Sequence, residues 1–362
     1  MGRLKKEGPQ VALIRSYRAL QEQKKFAGFS GRGYTPDRRG ARGKLLRKYK
    51  KTPEKPAWAF SRFFGTPTHL LLAGGGSSTG YGHKLTSSFN LKNKKWADHK
   101  EISCSCRILP AGGSARGIAY IIGGAEQIRA STYTISNTGE YYHKGTHTWT
   151  TFPLERPMWQ GAAAVKGDKI YITGGDSGTG TYQDGKVYDI INKQWNSMSD
   201  MSVPRRLHTM VALPDESSLI VVGGIDNTSN LISTAEKYDI ETNTWAPIPN
   251  PPNRQFGAQA VSIGTKVYVI GGRGPTGLVI NNVDVYDAAT NSWSSETPLN
   301  TARAFGSATV YDGKIYVVGG RNATSPSLKT GEIYDPTTSP PTWTNMTSNL
   351  KYGHHGGQLL II

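Results

Sequence analysis

The chain has 362 residues, and its 43 Lys and Arg residues outnumber its 26 Asp and Glu residues, which gives a formal net charge of +17 at pH 7. It contains no apolar run long enough for a secretion signal or a membrane span, so we expect an intracellular protein. Its two cysteines, Cys104 and Cys106, favour a reducing compartment and are too few for a disulfide framework or a four-ligand zinc site. The sequence predicts no metal and no cofactor.

The first 66 residues carry most of the excess charge. They contain 18 Lys or Arg and 4 Asp or Glu, a net charge of +14, whereas the other residues have a net charge of only +3. Such a composition predicts an extended basic tail rather than a domain with a core of its own. Leu13, Ile14, Tyr17 and Leu20 fall on one helical face, which predicts a short helix and resembles an organelle presequence. A mitochondrial location is therefore favoured, with the cytoplasm and the nucleus as alternatives.

Basic side chains in this tail alternate with glycines and aromatic rings. That mixture is typical of segments that contact RNA phosphates and stack on bases. In composition the tail resembles the extensions of ribosomal proteins, and a flexible tail or one that binds acidic protein surfaces remains an alternative. The predicted RNA-binding residues are Arg15, Arg18, Lys24, Lys25, Arg32, Tyr34, Arg38, Arg39, Arg42, Lys44, Arg47, Lys48, Lys50 and Lys51.

After the tail, a pattern of three markers repeats six times. Each copy has a short apolar run that ends in a glycine pair, and the first glycines are Gly74, Gly123, Gly174, Gly223, Gly271 and Gly319, 48 to 51 residues apart. A tyrosine follows in most copies, and then a tryptophan: Trp96, Trp149, Trp195, Trp245, Trp293 or Trp343. A period near fifty residues indicates one propeller blade per copy.

The residue types explain how one copy folds. Runs such as Ile220–Val222 have no polar alternation, so both of their faces must be covered by neighbouring sheets. A glycine pair in a strand indicates close backbone approach between blades, and the aromatic residues are expected to fill the wider space between them. We therefore predict four antiparallel strands per copy.

The apolar run, glycine pair, tyrosine and tryptophan, in this order, resemble the repeats of the kelch family. This resemblance covers roughly Thr68 to Ile362 and implies an all-β fold, a six-bladed kelch-type propeller over residues 67–362 that follows a basic tail over residues 1–66. The last copy is truncated, so residues 354–362 are expected to supply its first strand and residues 68–73 the second strand of the same blade. Such a closure removes open sheet edges.

One basic position recurs just before each blade, at intervals of 48 to 50 residues. Two interpretations are open: a positive rim that binds anions at one end of the channel, or side chains that bond carbonyl groups of their own loops, as kelch-family arginines commonly do. The predicted rim residues are Arg107, Arg156, Arg206, Arg254, Arg303 and Lys351.

Catalytic candidates are few. His143 and His147 flank a turn, and His208, His354 and His355 follow rim positions, but no nucleophile is paired with a base. We therefore expect no enzyme and no small-molecule substrate.

Kelch rings serve mostly as interaction platforms. The leading hypothesis is a non-catalytic structural subunit of a large ribonucleoprotein, in particular an organellar ribosome, whose tail is anchored in rRNA and whose ring binds neighbouring proteins through its loops. The alternative is a kelch scaffold or adaptor that binds acidic protein surfaces such as the cytoskeleton. A propeller enzyme of the sugar mutarotase type comes third.

Overall fold

The computed structural model describes residues 67–76, 85–101, 107–129, 132–214, 217–253 and 255–362, and the predicted tail of residues 1–66, with its short helix, lies outside them. The described chain is all-β, and its 27 strands form six four-stranded antiparallel sheets and one sheet of three strands. The six larger sheets are the predicted blades.

Within each blade the four strands follow one another from the ring axis outward. Blade 1 contains β27 (His355–Ile361), β1 (His69–Gly76), β2 (Leu85–Asn90) and β3 (Trp96–Glu101), and blade 2 contains β5 (Ala111–Ala115), β6 (Ile118–Ile122), β9 (Thr138–His143) and β10 (Thr148–Pro153). Blade 3 contains β11 (Ala162–Lys166), β12 (Lys169–Thr173), β13 (Gly185–Asp189) and β14 (Gln194–Ser197), and blade 4 contains β15 (Thr209–Ala212), β16 (Ser218–Val222), β17 (Ala235–Asp239) and β18 (Thr244–Ile248). Blade 5 contains β19 (Gln259–Ile263), β20 (Lys266–Ile270), β21 (Val283–Asp287) and β22 (Ser292–Glu296), and blade 6 contains β23 (Ser307–Tyr311), β24 (Lys314–Val318), β25 (Gly331–Asp335) and β26 (Thr342–Asn345).

The inner strands make a closed ring. Each contacts the next, from β5 through β11, β15, β19 and β23 to β27, and β27 contacts β5. The closure predicted from the truncated last copy is confirmed, because β27 pairs antiparallel with β1 and Leu360 lies opposite Leu71. Blade 1 is therefore completed by a strand from the far end of the sequence, which pairs the edge of β1 that would otherwise be open.

The glycine pairs lie where neighbouring blades approach each other closely, as predicted. Gly271 has a φ of 63°, and a Cβ atom there would overlap the carbonyl oxygen of Arg303 in the next blade. The amide of Gly272 donates to that same oxygen at 2.9 Å. A glycine is needed because the backbone itself forms this contact between blades.

The aromatic markers also fill the predicted space between sheets. Tyr286 lies 5.3 Å from Trp293 between ring centroids, and Tyr334 lies 5.1 Å from Trp343. The indole N–H of Trp343 donates to the carbonyl oxygen of Thr297 in blade 5 at 2.9 Å. The indole of Trp343 thus connects the outer strand of blade 6 to the preceding blade, because it buries apolar area and donates a hydrogen bond.

Blade 2 carries an insertion that the repeat did not predict. After its glycine pair the chain forms a hairpin of β7 (Ala125–Arg129) and β8 (Thr132–Ile135), and β7 also pairs with the short strand β4 (Arg107–Ile108). We call the end of the ring that bears the glycine pairs, the loops after them and the segments that lead into the inner strands the diglycine face. The opposite end, with the turns between inner and second strands, is the hairpin face. The inserted hairpin belongs to the diglycine face.

Candidate functional site

Two of the predicted rim residues are buried in equivalent ion pairs. Arg107 is 0% exposed and donates to Glu140 at 3.0 Å, and Arg303 is 1% exposed and donates to Glu332 at 2.6 Å. Both guanidinium groups also bond the carbonyl oxygen of the first glycine of their own blade, at 2.7 Å from Arg107 and 2.6 Å from Arg303. These arginines bond their own loops, so they do not line the channel mouth.

The third member of this buried set is Arg205 and not the predicted Arg206. Arg205 is fully buried, pairs with Glu236 and donates to the carbonyl oxygen of Gly223 at 3.1 Å. The equal spacing of the predicted rim is misleading here because Arg205 lies 18 residues before its glycine and Arg303 lies 16 before Gly319. Loops of different length shift the structurally equivalent residue.

The other predicted rim residues lie in three different situations. Arg156 pairs with Asp184 beside the ring of Tyr182, and Lys351 is 67% exposed at the side chain and lies 3.8 Å from Asp98. Arg254 lies outside the described residues. In the remaining blades the corresponding residues are Met158, Gln255 and His354. The carbonyl oxygen of each accepts a hydrogen bond from the amide of the second glycine of the preceding blade, as those of Arg205 and Arg303 do.

A signal for the buried pairs was present in the sequence. Glu140, Glu236 and Glu332 stand two residues before the tyrosine marker, and Lys186 takes this place in blade 3, where Met158 replaces the arginine. Arginine and glutamate thus occur together or are both absent in these blades. This internal correlation sets Arg156 apart from Arg107 and Arg303 without a structure, but it does not choose between the adjacent Arg205 and Arg206.

A closed circle of backbone hydrogen bonds surrounds the channel at the diglycine face. One residue of each blade takes part, and its N–H donates to the carbonyl oxygen of its counterpart in the preceding blade at 2.6 to 3.3 Å. All have a φ between 52° and 64°, a conformation that costs a non-glycine residue about 1 kcal/mol or more. The members of this hydrogen-bonded circle are Leu109, Gln160, Leu207, Gly257, Phe305 and Gly356.

The circle holds its side chains across the mouth. A Cβ atom on Gly257 would lie 2.6 Å from Cε1 of Phe305, and one on Gly356 would lie 2.8 Å from Cδ2 of Leu109. The larger side chains therefore cover the neighbouring glycines. Below them lies a cavity of about 420 Å³, which the circle and the six inner strands line.

Three arginines stand around this circle, and we call Arg206, Arg273 and Arg321 the arginine cluster. Arg206 donates to Oε1 of Gln160 at 2.8 Å, and the guanidinium carbon of Arg321 lies 4.5 Å from the centre of the Phe305 ring. Arg273 pairs through its backbone with Phe256, next to the circle. Among the sequence-predicted residues only Arg206 belongs to this cluster. Arg273 and Arg321 directly follow glycine pairs, a position where blade 3 has Asp176.

The cluster is only partly neutralised. Arg206 lies 3.5 Å from Oδ2 of Asp176. Among the described residues Arg273 donates only to the carbonyl oxygen of Gly277, at 3.2 Å, and Arg321 has no ion pair. Burial, and next the like charge of Arg273, lower the pKa of Arg321 from its usual value. Within the part of the chain that the structure describes, the positive charge of Arg273 and Arg321 at the mouth therefore has no matching carboxylate.

Histidines do not assemble a reactive centre in the described chain. His208 is buried and its Nε2 lies 2.9 Å from Oγ1 of Thr173, and Nε2 of His354 lies 2.5 Å from the carbonyl oxygen of Gly74. His143 and His147 contact tyrosine rings at the opposite end, and His355 bonds Ser327. No group of three or more His, Cys, Asp or Glu side chains suited to a metal ion occurs in the part that the structure describes. Nor does that part contain a helix that is long and apolar enough to cross a membrane.

A sequence profile of the KLHDC2/KLHL20/DRC7 Kelch-repeats domain matches residues 161–355, which is more than half of the 362 residues. The chain belongs to the kelch-repeat family. The glycine pairs and the tyrosine–tryptophan contacts described above are thus kelch features, repeated in all six blades of this kelch ring with Phe89 in place of the tyrosine in blade 1.

Individual relatives match parts of the kelch ring. Alpha-scruin of Limulus polyphemus is 32% identical over 135 residues, which are 35% of this chain and 14% of that protein. N-(sulfonatooxy)prop-2-enimidothioate sulfolyase of Thlaspi arvense is 28% identical over 165 residues, 40% of this chain and 46% of the enzyme. The chain therefore spans less than half the length of either relative. The solved structure of YjhT superimposes with a TM-score of 0.64 at 14% identity and covers 72% of this chain and 91% of that chain, a likeness of fold.

Proposed function

We propose that this kelch ring is a non-catalytic protein-interaction module of the scaffold or adaptor kind, and that its partner docks on the diglycine face. The observation that carries the proposal is the location of the exposed large hydrophobic side chains. Among the described residues these are Tyr133, Leu278 and Tyr352, which are 46%, 65% and 45% exposed. All three stand on the diglycine face: Tyr133 lies in the inserted hairpin, Leu278 in the loop after a glycine pair, and Tyr352 in the segment that leads into β27.

Single exposed hydrophobic residues are common on any surface, so their exposure alone decides nothing. Their location on one shared face supports the proposal, because aromatic and arginine side chains are enriched at the centres of protein interfaces. Tyr133 stacks on Trp159 with 6.3 Å between centroids and an angle of 14°, which adds a flat aromatic surface beside the circle. The hydrogen-bonded circle fixes the backbone next to these loops, so binding of a partner costs little conformational entropy.

Site-specific crosslinking tests this proposal. A photoreactive amino acid would replace Leu278 or Tyr133 in the full chain, and a matched variant would carry it at exposed Ala289 on the hairpin face. In cells of the source organism, the two diglycine-face positions should crosslink the same protein and Ala289 should not. Crosslinks to that protein from Ala289 alone would refute the assignment of the face.

A second candidate function rests on the segregation of charge, +14 in residues 1–66. In it the tail anchors the protein in RNA of a mitochondrial ribosome while the ring contacts neighbouring proteins. Sedimentation of the tagged full chain, with and without ribonuclease, distinguishes the two. Association that survives ribonuclease and the deletion of residues 1–66 supports the adaptor, and association that needs both RNA and the tail supports the ribonucleoprotein. Family membership favours the adaptor.

A further inference from the structure

We propose that four lysines on the hairpin face hold the phosphate backbone of an RNA strand, beside the point where residues 1–66 join the ring. This inference rests on the second candidate function above, in which the tail is anchored in RNA, and it adds a binding surface on the ring itself. That surface lies at the opposite end of the ring from the proposed protein-docking face. We call the following four residues the lysine patch: Lys92, Lys94, Lys95 and Lys144.

The lysine patch flanks the first residues of the ring. Thr68 leads into β1, and its carbonyl oxygen accepts a hydrogen bond from the amide of Leu91, the residue after β2, at 3.0 Å. The hydroxyl oxygen of Thr68 accepts a second bond, from Nζ of Lys144 in the neighbouring blade at 2.9 Å. The turn between β2 and β3, which carries the other three lysines, and the turn of Lys144 therefore meet at the same residue.

The patch has no carboxylate partner in the described chain. All four lysine side chains are exposed. The acidic residue on the adjacent strand β3 is Asp98, and it bonds Ser87 at 2.8 Å and lies 3.8 Å from Lys351 instead. The ammonium groups of the patch thus keep donors for a ligand, and their charges repel one another while no anion is bound.

The equivalent turns of blades 3 to 6 carry a carboxylate that blades 1 and 2 lack. In each of those four blades an aspartate ends the third strand and accepts a hydrogen bond from a backbone amide of its own turn at 2.9 to 3.0 Å. These aspartates are Asp189, Asp239, Asp287 and Asp335. Asn90 ends the third strand of blade 1 and accepts the amides of Lys92 and Asn93 at 2.9 and 3.0 Å. In blade 2 this position is occupied by His143.

This replacement alters charge rather than turn geometry. The side-chain oxygen of Asn90 bonds the turn amides as the aspartates do, so the loss of the carboxylate mainly removes a negative charge. The turn of residues 90–95 has three lysines and no acidic residue, whereas the turn of residues 239–243 has Asp239 and Glu241 and no lysine. Cations are therefore gathered on the two blades that meet at Thr68, where a tail with a net charge of +14 is joined.

The residue types of the patch favour a nucleic-acid backbone over a protein surface. Lysine is depleted at protein interfaces, which depend on buried aromatic and apolar residues. The exposed large hydrophobic residues of the described chain all stand on the opposite face. A lysine ammonium group is a point charge that contacts a phosphate without reading a base. The ring therefore adds contacts that do not depend on the RNA sequence, and an RNA strand held by the tail is at high effective concentration beside them.

Fluorescence anisotropy of a labelled oligouridine, measured with the full chain at several salt concentrations, tests the inference. The patch variant carries Lys92→Gln, Lys94→Gln, Lys95→Gln and Lys144→Gln. The control variant loses the same net charge at exposed lysines elsewhere, through Lys169→Gln, Lys193→Gln, Lys266→Gln and Lys329→Gln. The patch variant should bind at least about tenfold more weakly than the control, and its log–log salt slope should be smaller by about 3, because each phosphate contact contributes about 0.7. Arginine at the four patch positions should retain the slope.

A tail variant separates this inference from the function on which it rests. It carries Arg38→Gln, Arg39→Gln, Arg42→Gln and Lys44→Gln. If the tail variant loses affinity while the patch variant binds like the control, the RNA anchor stands and the patch is overturned. If the unaltered chain does not bind oligouridine, both are overturned. Polyglutamate or phosphatidylserine vesicles that bind the patch more tightly than oligouridine would overturn RNA as its ligand. Unchanged thermal unfolding of each variant shows that the effects arise from binding.

Discussion

The buried pair of Arg303 and Glu332 allows a stability prediction that follows directly from its contacts. Arg303 donates to the carbonyl oxygens of Gly319 and Thr330 at 2.6 and 3.1 Å and to Glu332 at 2.6 Å. Replacing Arg303 with Met removes these bonds and leaves a buried carboxylate and two carbonyl groups. Breaking a buried pair costs about 3 to 5 kcal/mol. For this pair we expect about 3 kcal/mol, at the lower end of that range, because Glu332 keeps the amide of Asn300 as a donor at 2.8 Å.

A double-mutant cycle separates the pair from the loss of packing. Arg303→Met with Glu332→Leu removes both partners, as blade 3 does with Met158 and Lys186, so the double variant should lose at least about 1 kcal/mol less than the sum of the single variants. Guanidinium chloride unfolding followed by circular dichroism measures each free energy of unfolding. Arg156→Met is the control, since its pair with Asp184 is partly exposed and contributes about 1 kcal/mol or less. A loss below about 1 kcal/mol for Arg303→Met, or strict additivity, would show that these pairs do not hold the loops.

Two further predictions concern the circle and an internal histidine. Gly257→Ala should lower the free energy of unfolding by about 2 to 4 kcal/mol, because the new methyl group meets Phe305 at 2.6 Å in a left-handed backbone. The control Gly264→Ala, with a φ of 58° and open space around it, should cost about 1 kcal/mol. Equal losses in thermal unfolding would contradict a steric role for the circle. Burial, and next the charge of Arg205, lower the pKa of His208 well below its usual value. Below about pH 6.5 His208 is therefore protonated in the unfolded chain but not in the folded chain, so the stability falls as the pH falls. His208→Gln should therefore lower the acid slope of the unfolding free energy by up to about 1.4 kcal/mol per pH unit, and an unchanged slope would show that His208 is protonated in the fold.

Sequence reasoning succeeded where a contact depends on a particular residue type or on a count of residues. The glycine pairs and the tyrosine–tryptophan contacts need residue types that repeat, and the closure by β27 follows from the few residues left in the last copy. The hairpin of β7 and β8 was missed although its signal is length: Tyr142, the partner of Trp149, comes 19 residues after Gly123, whereas Tyr286 comes 15 after Gly271. Four additional residues between two fixed strands must be accommodated outside the blade.

The hydrogen-bonded circle could not be predicted in this way. Its members are leucine, glutamine, glycine and phenylalanine, and what they share is a backbone conformation and a backbone bond. Because N–H and C=O groups are the same in every residue, the composition of these positions carries no mark of their role. Of the two interpretations of the recurring cations, bonding to their own loops holds for Arg107 and Arg303. Equal spacing selected Arg206 in place of Arg205 because the loops before the inner strands differ in length.

The residue after each glycine pair varies among the blades, although its backbone environment stays the same. The backbone at Asp176, Arg273 and Arg321 forms the same bridge to the segment before an inner strand, so the fold places these side chains at matching sites around the mouth. None of them is part of the buried arginine–glutamate pairs that hold the loops. A change from Asp to Arg at this position therefore reverses the local charge and leaves the backbone contacts between blades in place. Under the proposed docking function, stability and recognition depend on separate residues, because the circle and the buried pairs fix the backbone while the residue after the glycines sets the charge of the face.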